Sequence, residues 1–309
     1  MREIRDGRRA GSSRLGRRRF HFNVMLVLVV GMLSACLPSV ANANSVSYVA
    51  LGDSYTAGPG ITPYSPTAFP GCAQSTANYP HLVASALHFS LTDVSCSGAK
   101  TIDFTTEQFP TFTPPQFNAL TAKTNVVSLG MGGNDFNLFG TLLEKCTIID
   151  YYSGYLATHG NVGAPCQEAL EPLVQSDLNG DVAPSNEALA QIRALSPKAK
   201  VFVVGYPEIT PLNGFCPAAI PWTTGDLKWF RAVEQQGNAL KKAGAIANHD
   251  TFVDTFTPSI GHNACEPVGK RWIEPLIGSL TGVAVHPNAT GQKVDAIDVG
   301  LSMLLHGVL

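Results

Sequence analysis

Apolar runs at residues 46–51, 125–131 and 200–205, with two shorter strand-like stretches at 91–95 and 251–254, punctuate the chain, and stretches of helical spacing lie between them. The run at 125–131 shows no regular polar alternation, which is the pattern of a strand covered on both faces in a parallel sheet. Residues 79–89 space Leu82, Val83, Ala86 and Leu87 as one helix face. Helices are also expected at 138–144, 187–195, 226–248 and 289–304, with Asp226 as N-cap of the longest. Residues 146–172 have little periodicity and read as an irregular insertion held down by Cys146 and Cys166, and the proline-rich stretch 109–115 reads as a surface loop. Strands alternating with helices five times predict one α/β domain over residues 44–309, built on a parallel sheet with right-handed crossovers.

The first 43 residues differ in kind. Arginines crowd Arg2 to Arg19, an apolar run follows at 24–33, and Ala41-Asn42-Ala43 closes the segment, the order of a secretory signal. The apolar run is too short for a permanent transmembrane helix. Arg17-Arg18-Arg19-Phe20 loosely resembles a twin-arginine export signal, and a generic basic region explains it equally. Leu33-Ser34-Ala35-Cys36 looks like a bacterial lipobox, in which an acylated Cys36 would tether the protein to the cell surface, whereas cleavage after Ala43 would free it. The expectation is a secreted or cell-envelope protein of a bacterium.

Composition narrows the chemistry. A net charge of −2 with 14% charged residues leaves no basic face for nucleic acid. Of seven cysteines, Cys36 falls in the leader, leaving Cys72, Cys96, Cys146, Cys166, Cys216 and Cys265. An even number in an exported chain implies disulfides, and six allow 15 connectivities. No metal-ligand spacing occurs, and no cofactor is implied.

The polar tips of the apolar runs carry the candidate chemistry. Gly52-Asp53-Ser54 ends the first run in a tight turn that leaves a hydroxyl at a strand end, where open α/β sheets bind ligands. Ser97-Gly98 follows the stretch at 91–95, Gly132-Gly133-Asn134-Asp135 the run at 125–131, and His286-Pro287-Asn288 precedes the last helix. Ester cleavage needs an activated hydroxyl, a base for its proton, and donors for the oxyanion. Ser54 supplies the hydroxyl and His286 the base. The donors are the backbone N–H groups of Ser54 and Gly98 and the side chain of Asn134. Phe69, Phe109, Phe112, Phe117 and Trp222 either line an acyl groove or cover the core.

Gly52-Asp53-Ser54-Tyr55, Gly98, Gly132-Gly133-Asn134-Asp135 and His286 resemble the Ser, Gly, Asn and His blocks of the SGNH hydrolases, also called GDSL esterases and lipases. Cys96-Ser97-Gly98-Ala99, Val203-Val204-Gly205-Tyr206-Pro207, Arg271-Trp272-Ile273 and the segment from His286 to Gly291 extend the resemblance to the secreted actinobacterial branch. It implies a flavodoxin-like three-layer α/β sandwich with a five-stranded parallel sheet, Ser54 as nucleophile, His286 as base, and an oxyanion hole from Ser54, Gly98 and Asn134. It further implies the disulfides Cys72–Cys96, Cys146–Cys166 and Cys216–Cys265. One departure stands out: most of the family has an aspartate three residues before the histidine, and here that residue is Val283. A Ser-His dyad is therefore expected, with the main-chain carbonyl of Val283 or Ala284 orienting His286.

The function so implied is a secreted esterase or lipase, including phospholipase, acting as a monomer on a small-molecule or lipid ester. Acyl transfer, deacetylation of polysaccharide, and a catalytically inactive surface-tethered binding protein are the alternatives on the same fold.

Overall fold

The computed structural model describes residues 45–108 and 113–308. The export signal, the Cys36 anchor, Phe109 and Phe112 lie outside them. Five strands, β1 (Ser47–Gly52), β2 (Ser90–Asp93), β3 (Val126–Gly130), β4 (Lys200–Val204) and β5 (Thr251–Val253), form one sheet in the order β2-β1-β3-β4-β5. Every neighbouring pair is parallel; Val49, for example, faces Thr92 on one side and Val127 on the other. The chain leaves β1 for one side and returns for β3 on the other, so the strand order reverses between β1 and β3. That crevice is where doubly wound sheets bind ligands.

The helices are α1 (Ser54–Ala57), α2 (Tyr79–Leu87), α3 (Leu138–Thr147), α4 (Tyr155–His159), α5 (Pro165–Gly180), α6 (Val182–Leu195), α7 (Thr224–Ala247), α8 (Phe256–Ser259) and α9 (Ala289–Leu305). Alternation along the strands makes the three layers. Tyr48, Ala50, Phe202 and Val204 meet Tyr79 and Val83 of α2 and Val299 and Met303 of α9. Val49, Leu51, Val127, Leu129, Val201 and Val203 face the opposite layer, with Ala188, Leu189 and Ile192 of α6 and Ala245 of α7. A further cluster is built by segments that follow the strands, joining Tyr55, Leu138, Leu142, Val174, Leu178, Trp222, Phe230 and Val285. The three disulfides are Cys72–Cys96, Cys146–Cys166 and Cys216–Cys265.

Two expectations are corrected, and an open one is decided. Residues 146–172 are helical rather than irregular: α3 runs on into a wide turn at Ile148–Tyr152, then α4 and α5 follow. Pro172 reads as a breaker in the sequence, yet it lies on the exposed face of α5, while Cys166, Val174 and Leu178 point inward at four-residue multiples. The N-cap of α7 is Thr223, not Asp226: its hydroxyl accepts from the Asp226 N–H at 3.2 Å. Asp226 is thereby free to accept from the N–H groups of Cys166 and Gln167 at 3.1 and 2.8 Å, which joins the starts of α5 and α7. Of the five aromatics considered for an acyl groove, Trp222 and Phe117 are core. Trp222 packs on Phe230 and Phe117 stacks on Phe104, and Trp222→Ala would cost about 3–5 kcal/mol.

Candidate active site

β1 ends at Gly52, where the chain must turn beneath β3. A Cβ there would sit 2.2 Å from the Thr56 hydroxyl and 2.7 Å from the Gly130 carbonyl, so only glycine fits. The Asp53 N–H donates to Gly130 at 3.0 Å, and its carboxylate caps α1 by accepting from the Tyr55 N–H at 2.9 Å. Ser54 is thus the first residue of a short, buried helix at the β1–β3 crevice.

His286 reaches it from 232 residues away: Nε2 lies 2.8 Å from the Ser54 Oγ, and Nδ1 lies 2.8 Å from the Ala284 carbonyl. A carbonyl only accepts, so Nδ1 carries the proton and Nε2 presents its lone pair to the hydroxyl. Burial pushes the imidazole below its usual pKa, and the Ala284 carbonyl partly opposes that. The Val283 carbonyl faces elsewhere, accepting the backbone N–H of His286 at 3.2 Å. Within this turn Val285 has φ +55°, a conformation costing a β-branched residue about 1–3 kcal/mol. Its carbonyl accepts the Tyr55 hydroxyl at 2.5 Å, and the Tyr55 and His286 rings lie 4.9 Å apart.

The flank of the histidine loop is pinned by Glu274. Its backbone exchanges bonds with Val285 and His286, both at 2.9 Å. Burial alone would raise its carboxyl, but Leu280 N–H, Thr281, Asn288 and Arg271 outweigh it and hold the carboxyl below the usual range.

On the other side of Ser54, β3 delivers Gly132 to Asp135. A Cβ on Gly132, at φ +113°, would meet both the Asp181 carboxylate and the Lys241 ammonium at 2.8 Å. The Asn134 side chain donates one hydrogen to the Ala99 carbonyl at 3.0 Å, and Asp135 accepts from the Thr101 N–H at 3.0 Å, which locks this loop to the one carrying Gly98. Among the described residues the backbone N–H groups of Ser54 and Gly98 donate to no acceptor. Tyr206 joins the two halves: its hydroxyl donates to the Asp53 carboxylate and accepts the Gly133 N–H at 3.0 Å. Burial raises Asp53 to about 6, against the bonds from Tyr206 and Tyr55 and the nearby Lys241 charge.

Ser54 and Asn134 border one cleft of about 800 Å³ including its open mouth. Leu138, Phe139 and Leu142 of α3, Leu178 of α5, and Phe230, Val233 and Gly237 of α7 form its apolar walls, and Phe69, Phe117 and Trp222 are not among them. Tyr55, Tyr206 and Glu274 escape sequence reasoning as parts of the site. Tyr55 and Tyr206 stand within motif segments, but their partners lie 230 and 153 residues away.

A doubly wound parallel sandwich that gathers a serine, an imidazole and an asparagine amide at the crevice between β1 and β3 has the SGNH hydrolase fold. The chain belongs to the GDSL-like lipase/acylhydrolase family, whose sequence model matches residues 50–294. Lipase 2 of Streptomyces coelicolor is 39% identical over 252 residues, covering 81% of this chain and 83% of that protein. The crystal structure of the extracellular lipase from Streptomyces rimosus superposes with a TM-score of 0.68 at 25% identity, covering 84% of this chain and 99% of that one. Phospholipase A1 from Streptomyces albidoflavus gives 0.66 at 27% identity, covering 84% and 98%. The protein is a lipase or esterase of this family.

Proposed function

We propose that this protein cleaves carboxylic esters outside the cell, with Ser54 as nucleophile, His286 as its base, and the N–H groups of Ser54, Gly98 and Asn134 as the oxyanion hole. His286 Nε2 takes the proton as Ser54 Oγ bonds to the acyl carbon. Negative charge moves onto the carbonyl oxygen, where the free N–H of Ser54, that of Gly98, and the uncommitted hydrogen of Asn134 receive it. His286 then protonates the departing alcohol, leaving acyl-Ser54, and the same imidazole activates water to release the acid. A neutral carbonyl behind Nδ1 stabilises the imidazolium less than a carboxylate, so the burial-lowered basicity of His286 goes with a base that is unprotonated at neutral pH. The apolar side chains of α3, α5 and α7 beside Ser54 suit the acyl part of the substrate, while Asp177, Asp181, Glu234 and Lys241 also border the cleft.

Export is supported by the order of basic, apolar and small residues in 1–43, and by the extracellular lipase of Streptomyces rimosus among the similar structures. The catalytic unit is then the single α/β domain over residues 44–309.

The observation that carries this reading is the 2.8 Å contact between Ser54 Oγ and His286 Nε2. A fluorophosphonate probe tests it. Labelling of the wild type that disappears in Ser54→Ala and slows strongly in His286→Ala is expected; undiminished labelling of Ser54→Ala would refute it.

A further inference from the structure

We propose that Tyr55 is a positioning residue: its hydroxyl clamps the Val285 carbonyl and so holds the strained turn that aims His286 at Ser54. This rests on the dyad described above.

The Ala284 carbonyl that binds His286 Nδ1 lies two residues before the histidine, inside the same turn. That bond sets the ring relative to its own loop, and the backbone exchange with Glu274 pins the flank of that loop, but neither ties it to the segment that carries Ser54. In a triad a carboxylate beside Nδ1 would add a further fixed point, whereas here the partner of Nδ1 is the Ala284 carbonyl of the same turn. Val285, between the Ala284 carbonyl that accepts that bond and the histidine, is held at φ +55° with its side chain buried; Glu274 accepts its N–H, and the carbonyl side of this strained turn still needs a tie.

The Tyr55 hydroxyl supplies the retention. Its oxygen lies 2.5 Å from the Val285 carbonyl, it belongs to the residue next to the nucleophile, and burial keeps the phenol protonated and able to donate. One rigid connection therefore fixes the separation of the nucleophile and base loops. Tyr55 is itself anchored, because the Gln292 amide of α9 donates to its backbone carbonyl at 2.8 Å. Its ring also packs beside the imidazole, so removing the hydroxyl alone leaves that packing in place.

The experiment is a double-mutant comparison of Tyr55→Phe in two backgrounds, with p-nitrophenyl butyrate kinetics and a thermal melt for each protein. In the wild-type background kcat should fall at least about tenfold, with KM within about twofold. In Val285→Gly the backbone adopts φ +55° without strain and needs no clamp, so Tyr55→Phe should there cost less than about threefold. An unchanged kcat in Tyr55→Phe overturns the proposal, and so does an equal loss in both backgrounds. If Tyr55→Phe alone does not fold, the comparison passes to the glycine background: a double variant turning over near the Val285→Gly rate supports the clamp, and one that also fails overturns it. The dyad is tested separately, because His286→Ala retaining full activity would remove the dyad whatever Tyr55→Phe does.

Discussion

Asn134 has two amide hydrogens, and one already serves the Ala99 carbonyl, so a single hydrogen is left for an oxyanion. Asn134→Ala should lower kcat by about 10²–10³ with little change in KM, read from steady-state kinetics on a soluble ester. If His286 is the base, as proposed, it must be neutral to accept a proton and so sets the acid side of the pH profile. Because burial lowers its pKa, activity should persist below pH 6.5 as the solution is acidified and vanish only where the imidazole protonates. Asp53 titrates at about 6 in the same range, and Asp53→Asn separates the two: the acid limb that remains in log kcat/KM belongs to the imidazole. At Val283 only the backbone takes part in the turn, and the side chain is 41% exposed. Val283→Ala should keep most activity, whereas a loss comparable to His286→Ala would contradict that account.

The element that shapes the cleft is α7, which contributes Phe230, Val233 and Gly237 to its wall. A Cβ on Gly237 would make an ordinary contact with the Leu178 Cδ2 at 3.8 Å, so the helix accepts it, and a larger side chain at this wall position would take up room in the cleft. Gly237→Leu should therefore cut kcat/KM for long-chain p-nitrophenyl esters by about tenfold or more while leaving acetate and butyrate within about threefold, and a uniform change along the series would place the acyl chain elsewhere. At this scale the sequence was most legible where physics is local. Parallel strands covered on both faces are unbroken apolar runs, which is why β1, β3 and β4 stand out, whereas the edge strands β2 and β5 are short and partly exposed and show mainly by their place between helices. α5 was hidden because its inward face is marked only by Cys166, Val174, Asp177 and Leu178, too sparse to show a period, and the cap of α7 was misassigned because Thr223 and Asp226 both have the right chemistry. Ser54, Gly98, Asn134 and His286 announce themselves as polar tips beside apolar runs, whereas the work of Tyr55, Tyr206 and Glu274 lies in bonds between distant segments that no local pattern encodes.

Across the whole molecule, several carboxyls are buried without a cation to balance them. Burial and the neighbouring Asp298 push Asp295 to about 8, and burial and Asp226 push Asp150 to about 8. An unfolded aspartate titrates near 3.9, so between that value and about 8 the folded protein binds more protons than the unfolded chain. Their stabilising protonation is complete below pH 3.9 and is lost as pH rises through 8. The melting temperature should therefore decline from pH 6 to pH 9 in scanning calorimetry, and Asp295→Asn, which cannot ionise, should flatten the decline.

The two partners of the 2.8 Å contact stand at opposite ends of the polypeptide, one just after the first strand and the other just before the final helix. While the C-terminal turn is undocked, Ser54 is an ordinary alcohol. On the proposed dyad, a nascent or unfolded chain is thus chemically silent, and reactivity begins only when a segment 232 residues beyond the serine comes to rest against it.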